Sequence, residues 1–529
     1  MSKWNNFSNW FKALIILLIA IGIFFRVFNL ENKVYWHDET YTSLRISGYT
    51  AKEVQQQVYN GSIIGIQDLI KYQQPNSEKS LIDTIKGLAV EEPQLPPLYF
   101  TMVRFWVQWF GSSVVWTRSL SAIFSLLAFP CLYWMCRQLF ESPITAWLAI
   151  ALIAISPFHL LYAQEARPYS LWLTTILLSN AALLSAMRLR TKLRWIIYAV
   201  TLSLSFYTHL LSIVVAIGQG IYIFIITGYR WNKNFYSYLT ASALAVLAFS
   251  PWLFLLVSNF GRAQYTTSGS TEKIPLLNLV KRWLDNLTRI FVDIIPNSLS
   301  PREPSLVLIL FGILIVLVLL LVIYSIYFLC RTTPQKTWLF VLTLIGTTGL
   351  SLVLPDLILG GIRSTEGRYL IPCYLGIQLA VAHLLANKIT SFSSTSRTSK
   401  LLWRLVITLV LTSGVVSCTI ISLSPYWWNK YGNVYSPEIA TIINKFPHPL
   451  VISDAYIGRI MPYIYLLKPQ VQIELIKPPI LPHIPKGFDD VFLLTPSVSS
   501  RQYLEKNNYK IDPLHNKYEY DNLWQITRR

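Results

Sequence analysis

The sequence predicts an α-helical polytopic membrane protein of about eleven transmembrane helices, with a small extracytoplasmic α/β domain at its carboxyl end. Of its 529 residues, 53% are hydrophobic and only 13% are charged, whereas a soluble domain has about a quarter charged residues. Apolar runs that are long enough to cross about 30 Å of hydrocarbon recur from Leu14 to Ile421. After Ser424 the pattern changes to short alternating stretches. These observations exclude a soluble fold for most of the chain.

The apolar runs place the spans, and the basic loops between them set their orientation. Short loops rich in Lys and Arg, such as 188–194 and 388–404, should be cytoplasmic in a protein of the plasma (inner) membrane, with the N-terminus inside and the C-terminus outside. The first run, 14–25, lacks a small-residue cleavage site, which predicts a retained span. Residues 195–227 could form two spans or one kinked region. We expect spans at about residues 11–30, 114–136, 144–160, 170–187, 195–208, 211–227, 235–257, 305–330, 337–355, 369–387 and 404–423.

The apolar stretch 95–110 breaks this alternation, because counting it as a span would place the basic loop 188–194 outside. We therefore expect an amphipathic or re-entrant helix at the membrane interface. Its Arg104, Trp106 and Trp109 would lie near the lipid headgroups.

This topology divides the chain into a transmembrane domain, 1–423, and an extracytoplasmic α/β domain, 424–529. In the second domain, helix-like stretches alternate with β-like runs at 450–452, 471–476, 490–494 and 523–527. It has no Gly-rich phosphate loop, so no nucleotide site is predicted. The segment 390–399 should be a cytoplasmic linker. The expected outer loops of the first domain are 31–113, 161–169, 258–304 and 356–368.

The net charge of +19 is dispersed over the short loops between apolar runs, so it indicates topology and not a nucleic-acid-binding surface. The five cysteines all lie in apolar runs without a CxxC pair. They are expected to be small buried side chains, which predicts neither a disulfide framework nor a metal site.

The first outer loop opens with VYWHDETYTSLR, which places His37, Asp38 and Glu39 just beyond the first span. A carboxylate that is partly withdrawn from water is a better general base than a fully solvated one. The alternatives are a solvated pair or a helix N-cap at Asp38. The segment EEPQLPPLYF follows, in which Tyr99 and Phe100 could anchor the chain at headgroup depth.

The turn SPFHLLYAQEARPYSLWL contains Glu165 and Arg167 at a spacing that does not share a helix face. One or both could therefore point into a cavity, whereas the alternative is an arginine that reaches the headgroups. His209 in FYTHLL lies at the outer end of a span, where the alternative to a ligand role is a satisfied interface histidine.

The segment GGIRSTEGRYLIP lies at the mouth of a later span and contributes Arg363, Glu366, Arg368 and Tyr369. Two arginines at this position could bind a phosphate through bidentate hydrogen bonds. All of the motifs fall on one predicted side of the membrane, which favours a shared site.

Together these motifs resemble those of the GT-C membrane glycosyltransferases of glycosyltransferase family 39 type, which include protein O-mannosyltransferases and aminoarabinose transferases. The similarity lies in the acidic pair, the PPLY segment, the SPFxxxYxQEARxY turn and the GRYLIP segment, and it covers roughly residues 10–390. It implies a GT-C-like fold. It also implies transfer of a sugar from a polyprenyl-phosphate donor to a hydroxyl of a lipid, glycan or protein acceptor outside the membrane.

The resemblance implies that Asp38 is the general base and that Glu39 orients Asp38 or the acceptor. Arg167, with Arg363 or Arg368, would hold the donor phosphate. Gln94 and Leu95 stand where the family often has His or Lys before the two prolines, so we expect no phosphate contact there. The further site candidates are His37, Glu165, His209, Glu366 and Tyr369.

The expected reaction requires no nucleotide, redox or metal cofactor, although carboxylates could hold a divalent cation. The main alternative function is a multispan transporter or a flippase for lipid-linked sugars, and a structural membrane protein is a third. Transporters usually place ionisable residues near the bilayer midplane. Here the interiors of the predicted spans are nearly free of charge.

Overall fold

A computed structural model describes residues 9–295, 305–391, 396–482, 484–485, 487–518 and 521–528. Parts of two expected segments, the outer loop 258–304 and the linker 390–399, lie outside the described residues. The first helices in chain order are α1 Asn9–Val27, α2 His37–Ser47, α3 Ala51–Val58, α4 Leu81–Glu91, α5 Leu98–Phe110, α6 Val114–Leu139, α7 Pro143–Ala154, α8 Pro157–Ala163, α9 Tyr169–Leu189, α10 Lys192–Thr208 and α11 Ser212–Ile226. They are followed by α12 Lys233–Ser258, α13 Phe260–Thr266, α14 Leu276–Thr288, α15 Ser305–Thr332, α16 Gln335–Leu359, α17 Ile371–Thr390, α18 Arg397–Leu423, α19 Ser436–Ile443, α20 Ile457–Ile460 and α21 Val498–Lys506. The strands are β1 Ile63–Gly65, β2 Leu450–Ser453, β3 Gln472–Leu475, β4 Val491–Leu494, β5 Tyr509–Tyr518 and β6 Asp521–Arg528.

The chain forms two compact units from segments that are not contiguous in sequence. The membrane unit comprises Met1–Phe28, Glu92–Tyr99 and Arg118–Leu423. The sheet unit comprises Asn29–Glu91, Phe100–Thr117 and Ser424–Arg529. The last boundary between the units coincides with the domain boundary expected after residue 423. The sheet unit is larger than the expected C-terminal domain, because most of the first outer loop is part of it.

Within the described residues, eight helices are long and apolar enough to cross a membrane, or nine if the bent pair α7 and α8 forms one span. Each coincides with one of the eleven expected spans. The two remaining expected spans are α10 and α11, which have 17 and 15 residues. At 1.5 Å per residue they extend only about 25 and 22 Å, less than the roughly 30 Å of the hydrocarbon layer. The region 195–227 is therefore two separate short helices.

Close approach of helix backbones determines the packing of the membrane unit. The helices α7, α9 and α17 are almost entirely buried and form its centre. A Cβ on Gly22 of α1 would lie 2.5 Å from the carbonyl oxygen of Ala154 on α7. Such small residues are typical of membrane helix interfaces, where van der Waals packing takes the place of the hydrophobic effect.

The sheet unit contains one six-stranded sheet with the order β1-β3-β2-β4-β6-β5. Strands β2, β3 and β4 are parallel, and the other pairs are antiparallel. Consecutive residues of a strand, such as Val451 and Ile452, point to opposite faces of the sheet and are buried in different hydrophobic clusters. Both faces of the sheet are therefore covered. The four strands expected from the sequence are confirmed as β2, β3, β4 and β6.

The helix α5 has 13 residues, about 20 Å, and is too short to span a membrane. The expectation that Arg104 lies among headgroups is wrong, because its guanidinium is buried and donates to the carbonyl oxygens of Ile46 and Lys79, both at 2.5 Å. Tyr99 and Phe100 are buried too, and so do not anchor the chain at the interface.

Candidate active site

The turn 164–168 between α8 and α9 carries Glu165 and Arg167, and a break in the preceding helix positions it. The axes of α7 and α8 differ by 62°. Pro157 lies at the start of α8, and proline has no N–H to continue the helical ladder across the break. The last carbonyl groups of α7 therefore need other donors.

A buried arginine of α1 supplies these donors. The Arg26 guanidinium is fully buried and donates to the carbonyl oxygens of Ile153 and Ala154 at 2.9 and 2.6 Å. In return, the Gln164 amide donates to the carbonyl oxygens of Phe25 and Phe28, at the end of α1, at 2.7 and 2.8 Å. The end of α1 thus holds both ends of the segment that presents Arg167.

The PPLY segment also supports this turn. The Tyr99 hydroxyl hydrogen-bonds the Ser121 hydroxyl of α6 at 2.7 Å, and Ser121 donates to the carbonyl oxygen of Arg167 at 3.4 Å. Within the turn, the N–H of Arg167 donates to the Glu165 carbonyl oxygen at 2.7 Å. The side chains of Glu165 and Arg167 are both buried.

Three segments that are distant in sequence meet at this end of the membrane unit and form what we call the arginine cluster: Arg167, Tyr169, His209, Arg368 and Tyr369. The Arg368 guanidinium lies 5.9 and 5.5 Å from the ring centroids of Tyr169 and Tyr369. The His209 ring lies 6.2 and 5.9 Å from the same two rings. Residues from the α8–α9 turn, the α10–α11 connection and the approach to α17 therefore share one site.

His209 is held by an aromatic stack and by its own backbone. Its ring stacks on Trp172 with centroids 4.1 Å apart, and its Nδ1 accepts the N–H of Leu211 at 3.3 Å. Burial, and then the positive charges of Arg167 and Arg368, lower the pKa of His209 to about 3. The imidazole is therefore neutral at pH 7, and the two arginines supply the positive charge of the cluster.

The two arginines of the GGIRSTEGRYLIP segment have different surroundings. The Arg363 guanidinium contacts the Asp356 carboxylate at 3.0 Å and the Gly360 carbonyl oxygen at 3.1 Å. Asp356 also accepts from the N–H and hydroxyl of Ser364, both at 2.7 Å. Arg363 is therefore part of the hydrogen-bond network that shapes the loop, and the cluster contains Arg368 instead.

Glu366 lies beside the arginine cluster, with its carboxylate 3.2 Å from the Arg368 guanidinium. The preceding loop is fixed by α14, because Trp283 donates to the Ser364 hydroxyl at 2.8 Å and Asn286 donates to the Thr365 carbonyl oxygen at 2.6 Å. A Cβ on Gly367 would lie 3.1 Å from the Phe158 ring, so a larger residue there would press on α8.

The acidic pair belongs to the sheet unit and begins α2. Trp36, and not Asp38, occupies the N-cap position, and both acids lie in the first turn. Carboxylates are stabilised there by the positive end of the helix dipole. Asp38 is half-buried, whereas Glu39 is fully buried with its carboxylate 2.6 Å from the Lys430 ammonium group.

His37 starts the same helix and is enclosed by the C-terminal part of the unit. Its N–H donates to the Asn433 side-chain oxygen at 3.0 Å. Its ring lies 4.9 and 5.6 Å from the rings of Tyr41 and Tyr456. A Cβ on Gly458 would lie only 2.3 Å from the His37 Nδ1 atom, so glycine is needed where α20 passes this ring.

Several residues of these sites carried no clear signal in the sequence. Arg26 resembles any basic residue at the end of a span, and Lys430 lies far along the chain from the glutamate that it contacts. Tyr169 and Trp172 belong to the same motif as Arg167, and that proximity was the only indication available.

Part of this chain matches a known protein family. The family model described as dolichyl-phosphate-mannose-protein mannosyltransferase matches residues 94–254, which include Arg167 and His209. No match is found among curated proteins.

Solved structures match over nearly the whole chain. ArnT from Cupriavidus metallidurans, bound to undecaprenyl phosphate, is similar with a TM-score of 0.51 at 11% identity, over 98% of each chain. The archaeal oligosaccharyltransferase AglB from Archaeoglobus fulgidus, in complex with an inhibitory peptide and a dolichol-phosphate, has a TM-score of 0.49 at 13% identity, over 89% of this chain and 64% of that chain. The likeness to ArnT confirms the expected fold class: this chain is a polytopic membrane protein with the GT-C fold of membrane glycosyltransferases.

Proposed function

We propose that this protein transfers a sugar from a polyprenyl-phosphate donor to an acceptor hydroxyl on the extracytoplasmic face of the membrane. The observation that carries the proposal is the arginine cluster. The charges of buried Arg167 and half-buried Arg368 both act on His209 at one end of a GT-C fold, where a lipid-anchored phosphate would arrive, and Arg368 also lies beside two tyrosine rings. ArnT, which shares the fold, was crystallised with undecaprenyl phosphate.

In the proposed reaction, the bond between the anomeric carbon and the phosphate oxygen breaks while a new bond forms to the acceptor oxygen. The acceptor proton passes to Asp38, and the polyprenyl phosphate leaves with its negative charge neutralised by Arg167 and Arg368. Phosphate is already a good leaving group once cationic side chains neutralise it, so the proposed reaction requires no nucleotide or redox cofactor. Glu165, Glu366 and Tyr369 line the donor side.

The donor phosphate favours arginine for a geometric reason. A polyprenyl phosphate keeps its chain in the bilayer, so its charged group stays near headgroup depth. The guanidinium group is always charged and offers two parallel N–H donors to phosphate oxygens, whereas the ammonium group of lysine acts as a point charge. The acceptor hydroxyl is proposed to belong to a lipid, a glycan or a protein. The protein is proposed to lie in the plasma (inner) membrane, with its N-terminus cytoplasmic and its sheet unit outside.

The proposal is tested by mass spectrometry of polyprenyl-phosphate sugars and outer-surface glycans in cells with and without the gene. Loss of a transferase should remove one glycan and allow its lipid-linked sugar to accumulate on the outer face, where an impermeant oxidant reaches it. Cells that produce Arg167→Ala should behave like the deletion strain. Accumulation on the inner face only would indicate a flippase, and unchanged lipids and glycans would contradict both functions.

A further inference from the structure

A buried ion pair links the start of α2 to the segment that follows the last membrane helix. The Lys430 ammonium group lies 2.6 Å from the Glu39 carboxylate, and neither side chain has any exposed surface. The ammonium group also lies 5.8 Å from the centroid of the Trp36 ring. Two charges removed from water in this way stabilise each other, because low-dielectric surroundings penalise a buried charge that has lost its partner.

The same segment holds α2 through a second contact. Lys430 and Asn433 both belong to the short segment Trp428–Asn433, which follows α18 in the chain and is kinked at Lys430. Asn433 accepts the backbone N–H of His37 at 3.0 Å. One short segment therefore contacts the residues on both sides of Asp38 in sequence.

These contacts distinguish the two acids. Consecutive residues of a helix point about 100° apart, so a fixed Glu39 directs Asp38 to a different side of the first turn. Glu39 is fully covered and its carboxylate is engaged by Lys430, whereas Asp38 retains exposed surface. Of the pair, Asp38 is the acid that an acceptor can reach.

We propose that Lys430 is a positioning residue for the transfer reaction. Through Glu39 it sets the first turn of α2 and hence the direction of the Asp38 carboxylate. Glu39 in turn acts through Lys430 and does not touch the acceptor. This inference rests on the proposed function, and it assigns a part of the reaction's machinery to the segment after the last span.

The test uses the full-length protein in nanodiscs, with a polyprenyl-phosphate sugar and acceptor identified as above. Lys430→Met should lower kcat by about ten- to a hundredfold and leave the donor KM nearly unchanged, because a displacement of about 1 Å in a reacting group has an effect of that size. The exposed Lys445 of the same unit is the matched control, and Lys445→Met should keep the wild-type kcat.

A double variant separates positioning from contact with the substrate. Lys430→Met combined with Glu39→Gln removes both members of the ion pair, so neither charge is left without the other and kcat should return to within a few fold of wild type. A purely local loss of folding would lower the amount of active protein and would not give this pattern of reversal. If the Lys430→Met protein does not accumulate in the membrane, kcat of the double variant is compared with kcat of Glu39→Gln. A higher kcat in the double variant then supports the inference, and an equal kcat overturns it.

Two results would overturn the inference: wild-type kcat in Lys430→Met, or a double variant that is as inactive as Lys430→Met or Glu39→Gln alone. In the second case Glu39 would act on the substrate directly. Failure of the proposed function gives a different result, because the wild-type protein itself would then transfer no sugar in this assay, whatever Lys430→Met does.

Discussion

At the scale of single residues, the three candidate arginines have two kinds of surroundings. Arg363 is committed to Asp356 and to the loop backbone. The charges of Arg167 and Arg368 instead act on His209, and Arg368 also lies beside the rings of Tyr169 and Tyr369. The sequence suggested Arg363 and Arg368 as equal alternatives, because spacing alone does not reveal that Asp356 folds back onto the nearer arginine.

We expect Arg167→Lys and Arg368→Lys each to raise the donor KM by about tenfold, because a hydrogen bond to a charged phosphate is lost while the charge is kept. Arg363→Lys is the control and should have a smaller effect. The measurement is donor saturation in nanodiscs of neutral lipid, which removes competition by anionic headgroups. An unchanged KM in both variants would remove the phosphate role from Arg167 and Arg368.

We expect Asp38→Asn to lower the transfer rate by two to four orders of magnitude, which is the usual contribution of a general base. The asparagine has the same size and exposes no new charge, so expression and membrane insertion should match wild type. Single-turnover transfer and donor binding are to be measured on the same preparations. Normal donor binding with normal transfer would show that another group accepts the proton.

Asp521, the first residue of β6, provides a prediction on pH. Burial raises the pKa of its carboxyl to about 6, although Arg459 and the N–H of Tyr435 oppose this shift. The folded unit binds this proton more tightly than the unfolded chain does. The proton therefore adds its full contribution to the free energy of unfolding below about pH 4, and that contribution is lost as the pH rises through about 6. The contribution is at most about 3 kcal/mol. Between pH 4 and 6, Asp521→Asn should make the melting temperature of the purified protein less dependent on pH. An equal dependence of the melting temperature on pH in the wild-type protein and in Asp521→Asn would contradict this role of Asp521.

At the scale of elements, the break between α7 and α8 depends on Arg26. Replacing Arg26 with Met leaves the carbonyl groups of Ile153 and Ala154 without their buried donors, which costs about 1–3 kcal/mol for each group. We expect a lower melting temperature and weaker donor binding, because the turn that carries Arg167 loosens. Arg188→Met, at an exposed position, is the control. Equal melting temperatures for the two variants would show that the hydrogen bonds from Arg26 to the end of α7 are dispensable.

The sequence predicted elements well wherever local pattern determines structure. The apolar runs and four strands were correctly located because burial gives each a periodic or continuous apolar signature. The edge strand β5 was missed, since Lys510, Asp512 and Pro513 give it the composition of a loop, which an edge position tolerates. Strand β1 was missed because its partner, β3, lies at the other end of the chain.

At the scale of the whole molecule, the orientation in the membrane stays a prediction. The basic loops place Ser396 and the loop 188–194 on the cytoplasmic side and the sheet unit outside. In intact cells, an impermeant maleimide should therefore label Ser499→Cys, an exposed position of the sheet unit, and should not label Ser396→Cys. Labelling at Ser396 from outside would reverse the orientation and the proposed location of the reaction.

The contact between Glu39 and Lys430 also has a consequence for the time at which the protein becomes active. The two residues are 391 positions apart. At a synthesis rate of about 5–20 residues per second, Glu39 leaves the ribosome roughly 20–80 s before its partner. During that interval the glutamate cannot be buried as an ion pair, and β1 has no neighbouring strand. The protein is therefore expected to gain activity only after the last membrane helix has been inserted, so that chains interrupted during synthesis remain inactive.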